Sequence, residues 1–342
     1  MNILIVKLSS LGDVVHTMPA LQDIRCALPQ ANIDWVLESA FAPLAQRCEG
    51  VRRVIPCNLR RWRKQPLAVS TRAQWAAFRA DLQANAYDVV LDLQGLSKSA
   101  LISWLARMAP RGKRYALANR TEGSAYEAPT RWVADTALQM APHVHAVQRS
   151  REMCARALSY AVPATEFYGL HPSPAQTQEA LRYITQALGR PDPQATRPCV
   201  ALVHGSSRAD KLWPSTHWIG LAQRLDAAGY DTVLLHGTDE EEQRSQALAA
   251  QMARAVVWPR LRLDVLTDAL ATCAGVIGVD SGLSHIAVAL DLPHVQLYNF
   301  DTAWRTGPIH RPRQRSVYAQ PTPSVEAVWQ AWLNVQGRSA MG

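Results

Sequence analysis

Five short stretches carry residue types able to do chemistry. The first is Lys7-Leu8-Ser9-Ser10-Leu11-Gly12-Asp13-Val14-Val15-His16. Ser9, Ser10 and Gly12 permit a tight turn, and Asp13 then falls at or beside a helix N-terminus. An aspartate there ordinarily caps orphan backbone N–H groups. The turn is not GxGxxG, so a dinucleotide fingerprint is absent. The second stretch is His204-Gly205-Ser206-Ser207-Arg208-Ala209-Asp210-Lys211-Leu212-Trp213-Pro214. Hydroxyls, backbone N–H groups and an ammonium together make a phosphate cradle. The same residues also suit a plain surface turn, and they do not match the P-loop pattern.

The third stretch, Gly237-Thr238-Asp239-Glu240-Glu241-Glu242, places acids at a helix start, where they match the macrodipole or accept from ribose hydroxyls. The fourth, Val279-Asp280-Ser281-Gly282-Leu283-Ser284-His285, ends a buried strand. Ser281 and Gly282 let a helix N-terminus approach an anion closely. Asp280 is equally suited to capping that helix, and His285 to a place in the core. The fifth, Asp92-Leu93-Gln94-Gly95-Leu96-Ser97-Lys98-Ser99, is a polar strand end whose spacing alone names no reaction.

The elements that must hold these stretches alternate between short β-branched runs and amphipathic helical spacing. Ile3–Val6, Ile33–Leu37, Val51–Ile55 and Asp88–Leu93 read as strands of a first series. Helices are expected over about 13–28, near Ala40, over about 72–86 and over about 144–160. A second series comprises Val200–His204, Thr232–Leu235, Gly275–Val279 and Val295–Tyr298, with helices between. Trp35 and Trp218 read as core, and His143 and His145 as surface residues opening a helix. The pattern predicts an α/β protein of two doubly wound parallel-sheet domains. The expected division is 1–170, a linker region 171–198 holding Gly189-Arg190-Pro191-Asp192-Pro193, and 199–342. The last helix, about 324–335, is free to pack on either domain. In such folds ligands bind beyond the strand C-termini, so a two-substrate reaction belongs in the cleft between the domains.

The chain has 342 residues, 48% hydrophobic and 19% charged, which excludes disordered and low-complexity classes. Six cysteines without a CxxC pair suggest neither a zinc site nor a disulfide framework. The apolar start is broken by Lys7 and Asp13 and lacks a basic leader, so a cytoplasmic location is expected. The net charge is +8, and the whole excess lies in residues 1–171, with 21 basic against 13 acidic residues. Its densest cluster is Arg60-Arg61-Trp62-Arg63-Lys64, which suits a polyanion. No helix-turn-helix, zinc-finger or RNA-binding signature accompanies it, so nucleic acid is not an expected partner.

Taken in order, LIVKLSSLGDVVHTMPAL, RRWRK, LDLQGLSKSA, HGSSRADKLWP and GVDSGLSHIAVALDLP resemble the lipopolysaccharide heptosyltransferases, which are ADP-heptose glycosyltransferases. The likeness is strongest to the branch that adds the first heptose of the inner core, and it weakens after about residue 300. It implies a GT-B fold, two Rossmann-like domains facing a cleft. It also implies inverting transfer of L-glycero-D-manno-heptose from ADP-L-glycero-β-D-manno-heptose to the inner Kdo of Kdo2-lipid A. Neither metal nor cofactor is implied. Asp13 matches the family's catalytic base, and Lys211 its phosphate-binding lysine. Ser206 and Ser207 stand where the family often has threonines. Glu241 matches the ribose acid, with Glu240 and Glu242 leaving the register open, and Leu261 the apolar residue against adenine. Asp280, Ser281, Gly282 and His285 complete the donor set. Arg60, Arg61, Arg63 and Lys64 match the basic acceptor loop, with Ser10, Gly12, Gln94, Lys98 and Arg120 as further acceptor residues.

This reading expects a monomer in peripheral contact with the cytoplasmic face of the inner membrane. Two alternatives stand beside it: a transferase of the same architecture acting on a later acceptor, as heptosyltransferases II and III do, and a non-catalytic basic protein that binds anions. The second leaves the later motifs without a purpose.

Overall fold

Runs of aliphatic and β-branched residues form the central strands, because a parallel strand covered by helices on both faces has no polar side to present. The computed structural model describes residues 1–188, 197–309 and 311–337. The chain divides into two compact units, Met1–Leu170 and His171–Gly342. In the first, β1 (Asn2–Val6), β2 (Asn32–Glu38), β3 (Val51–Cys57), β4 (Tyr87–Asp92), β5 (Met108–Leu117) and β6 (Thr136–Leu138) form one sheet in the order β3-β2-β1-β4-β5-β6. In the second, β7 (Cys199–Val203), β8 (Asp231–Leu234), β9 (Ala255–Val257), β10 (Gly275–Val279), β11 (His294–Tyr298) and β12 (Gln314–Tyr318) follow the order β12-β11-β10-β7-β8-β9. All pairings in both sheets are parallel. Each sheet therefore has the same doubly wound order and reverses direction once, between β1 and β4 and between β7 and β10. Four of the five chemical stretches follow those four strands: the first after β1, the fifth after β4, the second after β7 and the fourth after β10.

The strands that periodicity missed are those without an apolar run. β5 is Met-Ala-Pro-Arg-Gly-Lys-Arg-Tyr-Ala-Leu, β6 and β9 have three residues each, and β12 is a largely exposed edge. The segment read as linker holds a helix, Pro174–Leu188, whose Ala180 and Ile184 are buried. The proline-rich Gly189–Pro193 lies outside the described residues. The last helix, Val325–Val335, packs within the second unit, on the helix Ser215–Ala227 and on β11 and β12. Its Trp332 is fully buried and meets Tyr230 edge-on with ring centroids 5.8 Å apart.

Two features hold the site-bearing loops to the sheets. The helix Leu11–Ala27 that follows β1 packs on the helix Ala146–Leu158. There the buried Asp23 takes a bidentate pair from Arg151 at 2.7 and 3.1 Å. In the second unit Gly278 permits close approach of β10 to its neighbours. A Cβ at Gly278 would lie 2.7 Å from Val203 Cβ and would strike Ser284 Oγ. Gly278→Ala should therefore destabilise the second unit by about 1–3 kcal/mol through overpacking. Denaturant unfolding would read this as a lower midpoint at unchanged slope, and a wild-type midpoint would show that the strand has room to spare.

Candidate functional site

In the first unit, Ser10 is the N-cap of the helix Leu11–Ala27, and Asp13 is the third residue inside it. Asp13 Oδ2 accepts from the Ser10 amide at 2.9 Å and from Ser10 Oγ at 3.1 Å, the acidic half of a capping box. Its other oxygen lies 3.2 Å from Lys7 Nζ. The Asp13 side chain is about a third exposed, whereas Lys7 is buried. Burial opposes the charge on Asp13. The Lys7 ammonium, the Ser10 amide and the charges of His16 and Arg149 outweigh it and hold the carboxyl well below the ordinary carboxylate range. The result is a partly exposed carboxylate kept ionised at neutral pH, able to accept a proton.

The loop after β4 clamps this arrangement. Lys7 Nζ donates to Leu93 O at 3.1 Å. Gln94 Oε1 accepts from the Leu8 and Ser9 amides at 3.0 and 3.1 Å, and Lys98 Nζ donates to Ser9 Oγ at 3.1 Å. Asp92 builds the clamp from beneath, accepting from the Gln94 and Gly95 amides and from Ser99 Oγ. Its burial raises its carboxyl to about 6 against those hydrogen bonds. Gly95 turns the loop at φ +77°, a conformation that glycine adopts without strain.

Arg60 and Arg61 lie on the short helix Leu59–Trp62, with Arg63 and Lys64 following, and all four side chains are exposed. Arg120, also exposed, is beyond β5, where its Nε donates to Ser124 O at 3.2 Å. Gly12 is in the first turn of the Asp13 helix. His145, expected at the surface, is the N-cap of the helix Ala146–Leu158 and accepts from the Val147 amide.

In the second unit the buried Asp280 gathers the donor candidates. Lys211 Nζ is 2.6 Å from Asp280 Oδ2 and His285 Nε2 is 3.4 Å from Oδ1. Gln296 and Thr306 also reach Oδ1. Burial opposes the charge on Asp280, but His285 and Lys211 hold the carboxyl well below its usual range. Asp280 does not cap the following helix; Ser281 is its N-cap, and the helix Gly282–Ala289 begins one residue later. Ser281 Oγ is buried without a partner. Ser206 Oγ donates to Asp280 O at 3.3 Å, and Ser207 is exposed. The Lys211 loop is pinned by Asn299, whose amide donates to Asp210 O and Leu212 O.

Among the three consecutive glutamates, only Glu241 turns toward the loop after β7. Its Oε2 accepts from the Gly237 amide at 2.8 Å, and a Cβ on Gly205 would come within 2.8 Å of its Cδ. Glu240 is 85% exposed beside Arg244, and Glu242 approaches His236. Leu261 lines a cavity of about 400 Å³ together with Tyr183, Arg260 and Val265.

Composition and spacing missed the groups that tune Asp13. Lys7, Arg149 and His16 are buried near it. The available signal was Lys7 itself, a cation closing an apolar strand where a buried position is expected.

Two doubly wound parallel six-stranded sheets with polar clusters at their strand ends are the architecture of a glycosyltransferase of the GT-B class. The Escherichia coli heptosyltransferase WaaC, solved with ADP, matches this chain with a TM-score of 0.81 at 34% identity, covering 96% of this chain and 98% of that one. The chain belongs to glycosyltransferase family 9, the heptosyltransferases, whose family model matches residues 75–328. Lipopolysaccharide heptosyltransferase 1 of Escherichia coli K12 is 36% identical over 299 residues, which cover 87% of this chain and 88% of that protein. Lipopolysaccharide heptosyltransferase 1 of Pseudomonas aeruginosa is 37% identical over 308 residues, covering 87% and 78%.

Proposed function

We propose that the protein transfers L-glycero-D-manno-heptose from ADP-L-glycero-β-D-manno-heptose to the inner Kdo of Kdo2-lipid A, with inversion at the anomeric carbon. The observation that carries this is the Lys7-paired, Ser10-held carboxylate of Asp13, in a chain 36–37% identical to proteins named lipopolysaccharide heptosyltransferase 1. WaaC has also been solved with ADP-2-deoxy-2-fluoro heptose, a donor analogue.

In this reading Asp13 takes the proton of the attacking Kdo hydroxyl as that oxygen bonds to the heptose anomeric carbon. The bond from that carbon to the ADP oxygen breaks, and the leaving diphosphate gains charge. Lys211, Ser206, Ser207 and the amides at Ser281 and Gly282 stabilise that charge. A carboxylate is a poor neighbour for phosphate, so Asp280 acts by aiming Lys211 and His285. Glu241 holds the ribose, and Leu261 lies against adenine. Arg60, Arg61, Arg63, Lys64, Lys98 and Arg120 meet the acceptor's phosphates and carboxylates, while Ser10, Gly12 and Gln94 shape the loop at which it docks. The domain boundary lies near residue 170, and the protein works as a monomer. It is peripheral to the cytoplasmic face of the inner membrane, where its acceptor resides. Among the described residues no helix is long and apolar enough to cross a membrane.

Incubating the purified protein with ADP-heptose and Kdo2-lipid A should release ADP and add one heptose. No ADP release beside an active control would overturn the proposal, and release only with an already heptosylated acceptor would move the chain to the later-acceptor reading. The ribose assignment has its own check. Gly205→Ala pushes the Glu241 carboxylate off the Gly237 amide. ADP affinity should fall by about 5–10-fold, the worth of one hydrogen bond. Calorimetry giving the wild-type affinity would separate Glu241 from the nucleotide.

A further inference from the structure

The acceptor-loop region holds an apolar feature that the transfer chemistry does not use. Between Glu49 and Asp81 the chain has no acidic residue. In that stretch the short helix Leu59–Trp62 is joined through residues 63–68 to the helix Val69–Leu82, which ends just beyond it. The inner side of this clip is aromatic. Trp62 is buried, its ring centroid 5.5 Å from those of both Trp75 and Phe78, and its Nε1 donates to Gln74 Oε1 at 3.0 Å. The turn itself is held, since Arg72 donates through Nε and Nη2 to Leu67 O. Yet Leu67 and Val69, at its tip, are each 80% exposed. On either side of them in sequence, Arg60, Arg61, Arg63, Lys64 and Arg72 are all exposed.

An ordered turn that buries its tryptophan and presents two aliphatic side chains to water forfeits their burial unless something covers them. We propose that Leu67 and Val69 insert into the headgroup region of an anionic lipid bilayer, with the five flanking cations on the lipid phosphates. A bilayer surface offers apolar depth directly beneath a layer of negative charge, and long basic side chains reach back to that layer while their stems lie against apolar groups. Exposed cations on both sides of a small apolar tip fit that layering, with Arg60 also near Glu38. This deepens the proposed function and rests on it in one respect, that the acceptor is lipid-linked. The tip then sets the depth at which Arg60–Lys64 meet the acceptor's anionic groups.

Vesicle sedimentation without acceptor tests the surface directly. The full-length protein should bind vesicles of phosphatidylglycerol and phosphatidylcholine, bind poorly to pure phosphatidylcholine, and lose binding as salt rises. Leu67→Ser with Val69→Ser should weaken binding at least ~10-fold. Trp104→Ser with Trp132→Ser, which removes the two exposed tryptophans of this unit, 62% and 78% exposed, should leave it unchanged. Both positions of the Leu67/Val69 variant are solvent-exposed, so its unfolding midpoint should match wild type. Its turnover on a deacylated, water-soluble acceptor should also match, while turnover on acceptor embedded in vesicles falls. Equal binding to both vesicle types, wild-type binding by the Leu67/Val69 variant, or dependence on the tryptophans instead would overturn the proposal. Failure to sediment with any vesicle would overturn it too and leave the tip to an acidic protein partner. If wild type binds vesicles but releases no ADP with any acceptor, the membrane surface stands and the transferase reading fails.

Discussion

Asp13→Asn should lower kcat by about 10²–10⁴-fold while ADP binds as in wild type. The amide keeps the shape of the side chain and an oxygen to accept from the Ser10 N–H, so the helix cap persists. What is lost is the ability to take a proton. Both variants leave the buried Lys7 without its counter-ion, and Asp13→Ala removes the cap as well and should cost about 1 kcal/mol more than Asp13→Asn, so comparing the two isolates the effect of the cap. The pH profile offers a second readout. The surrounding cations hold the wild-type carboxyl low, so Asp13 stays ionised well below neutral pH. Replacing Lys7 by methionine removes the nearest cation, 3.2 Å away, and should move the acid limb of kcat/KM to higher pH. Near-wild-type turnover in Asp13→Asn would end the base assignment, and an unmoved acid limb in Lys7→Met would end the tuning role of Lys7.

The second large effect is expected at Asp280. In Asp280→Ala, Lys211 and His285 lose the carboxylate they share, and Gln296 and Thr306 lose an acceptor. Removing one partner of a buried ionic cluster typically costs about 3–5 kcal/mol, because the remaining charge stays desolvated. For a unit of this size each kcal/mol lowers the midpoint by about 2–4 °C, so a fall of about 6–20 °C is expected in calorimetry. ADP affinity should fall with it, since Lys211 is no longer aimed. The sign of the pH effect is fixed. The folded carboxyl sits below its ordinary value of 3.8, so its contribution is present above about pH 4 and is lost as pH falls through the folded value. Asp280→Asn should therefore lose less stability than wild type over that acid range. A wild-type midpoint in Asp280→Ala would show that the cluster is held by other contacts.

These two residues also show how far the sequence reaches. β1, β2, β4, β7, β8, β10 and β11 were legible because central parallel strands must be apolar on both faces, so burial writes itself into consecutive residues. β5 and β12 were not, because edge and near-edge strands tolerate Pro, Gly and charge, and their pairing comes from a neighbour distant in sequence. The helix Pro174–Leu188 lay hidden in a segment whose prolines marked it as a linker. Asp13, Lys211 and Asp280 stood out as polar residues in the stretches that follow strands, where doubly wound sheets bind ligands.

What the sequence determined by itself is a chain of two doubly wound sheets with its chemical residues at the strand ends, because hydrophobic periodicity and turn chemistry are local properties. Tertiary structure alone decided the electrostatics. Whether Lys7 is buried beside Asp13, whether Asp280 holds Lys211 and His285, and which of three glutamates turns toward Gly205 depend on groups up to 136 positions away in sequence. Charge interactions act through space and strengthen as water is excluded, and no spacing along the chain records which charges the fold will bring together.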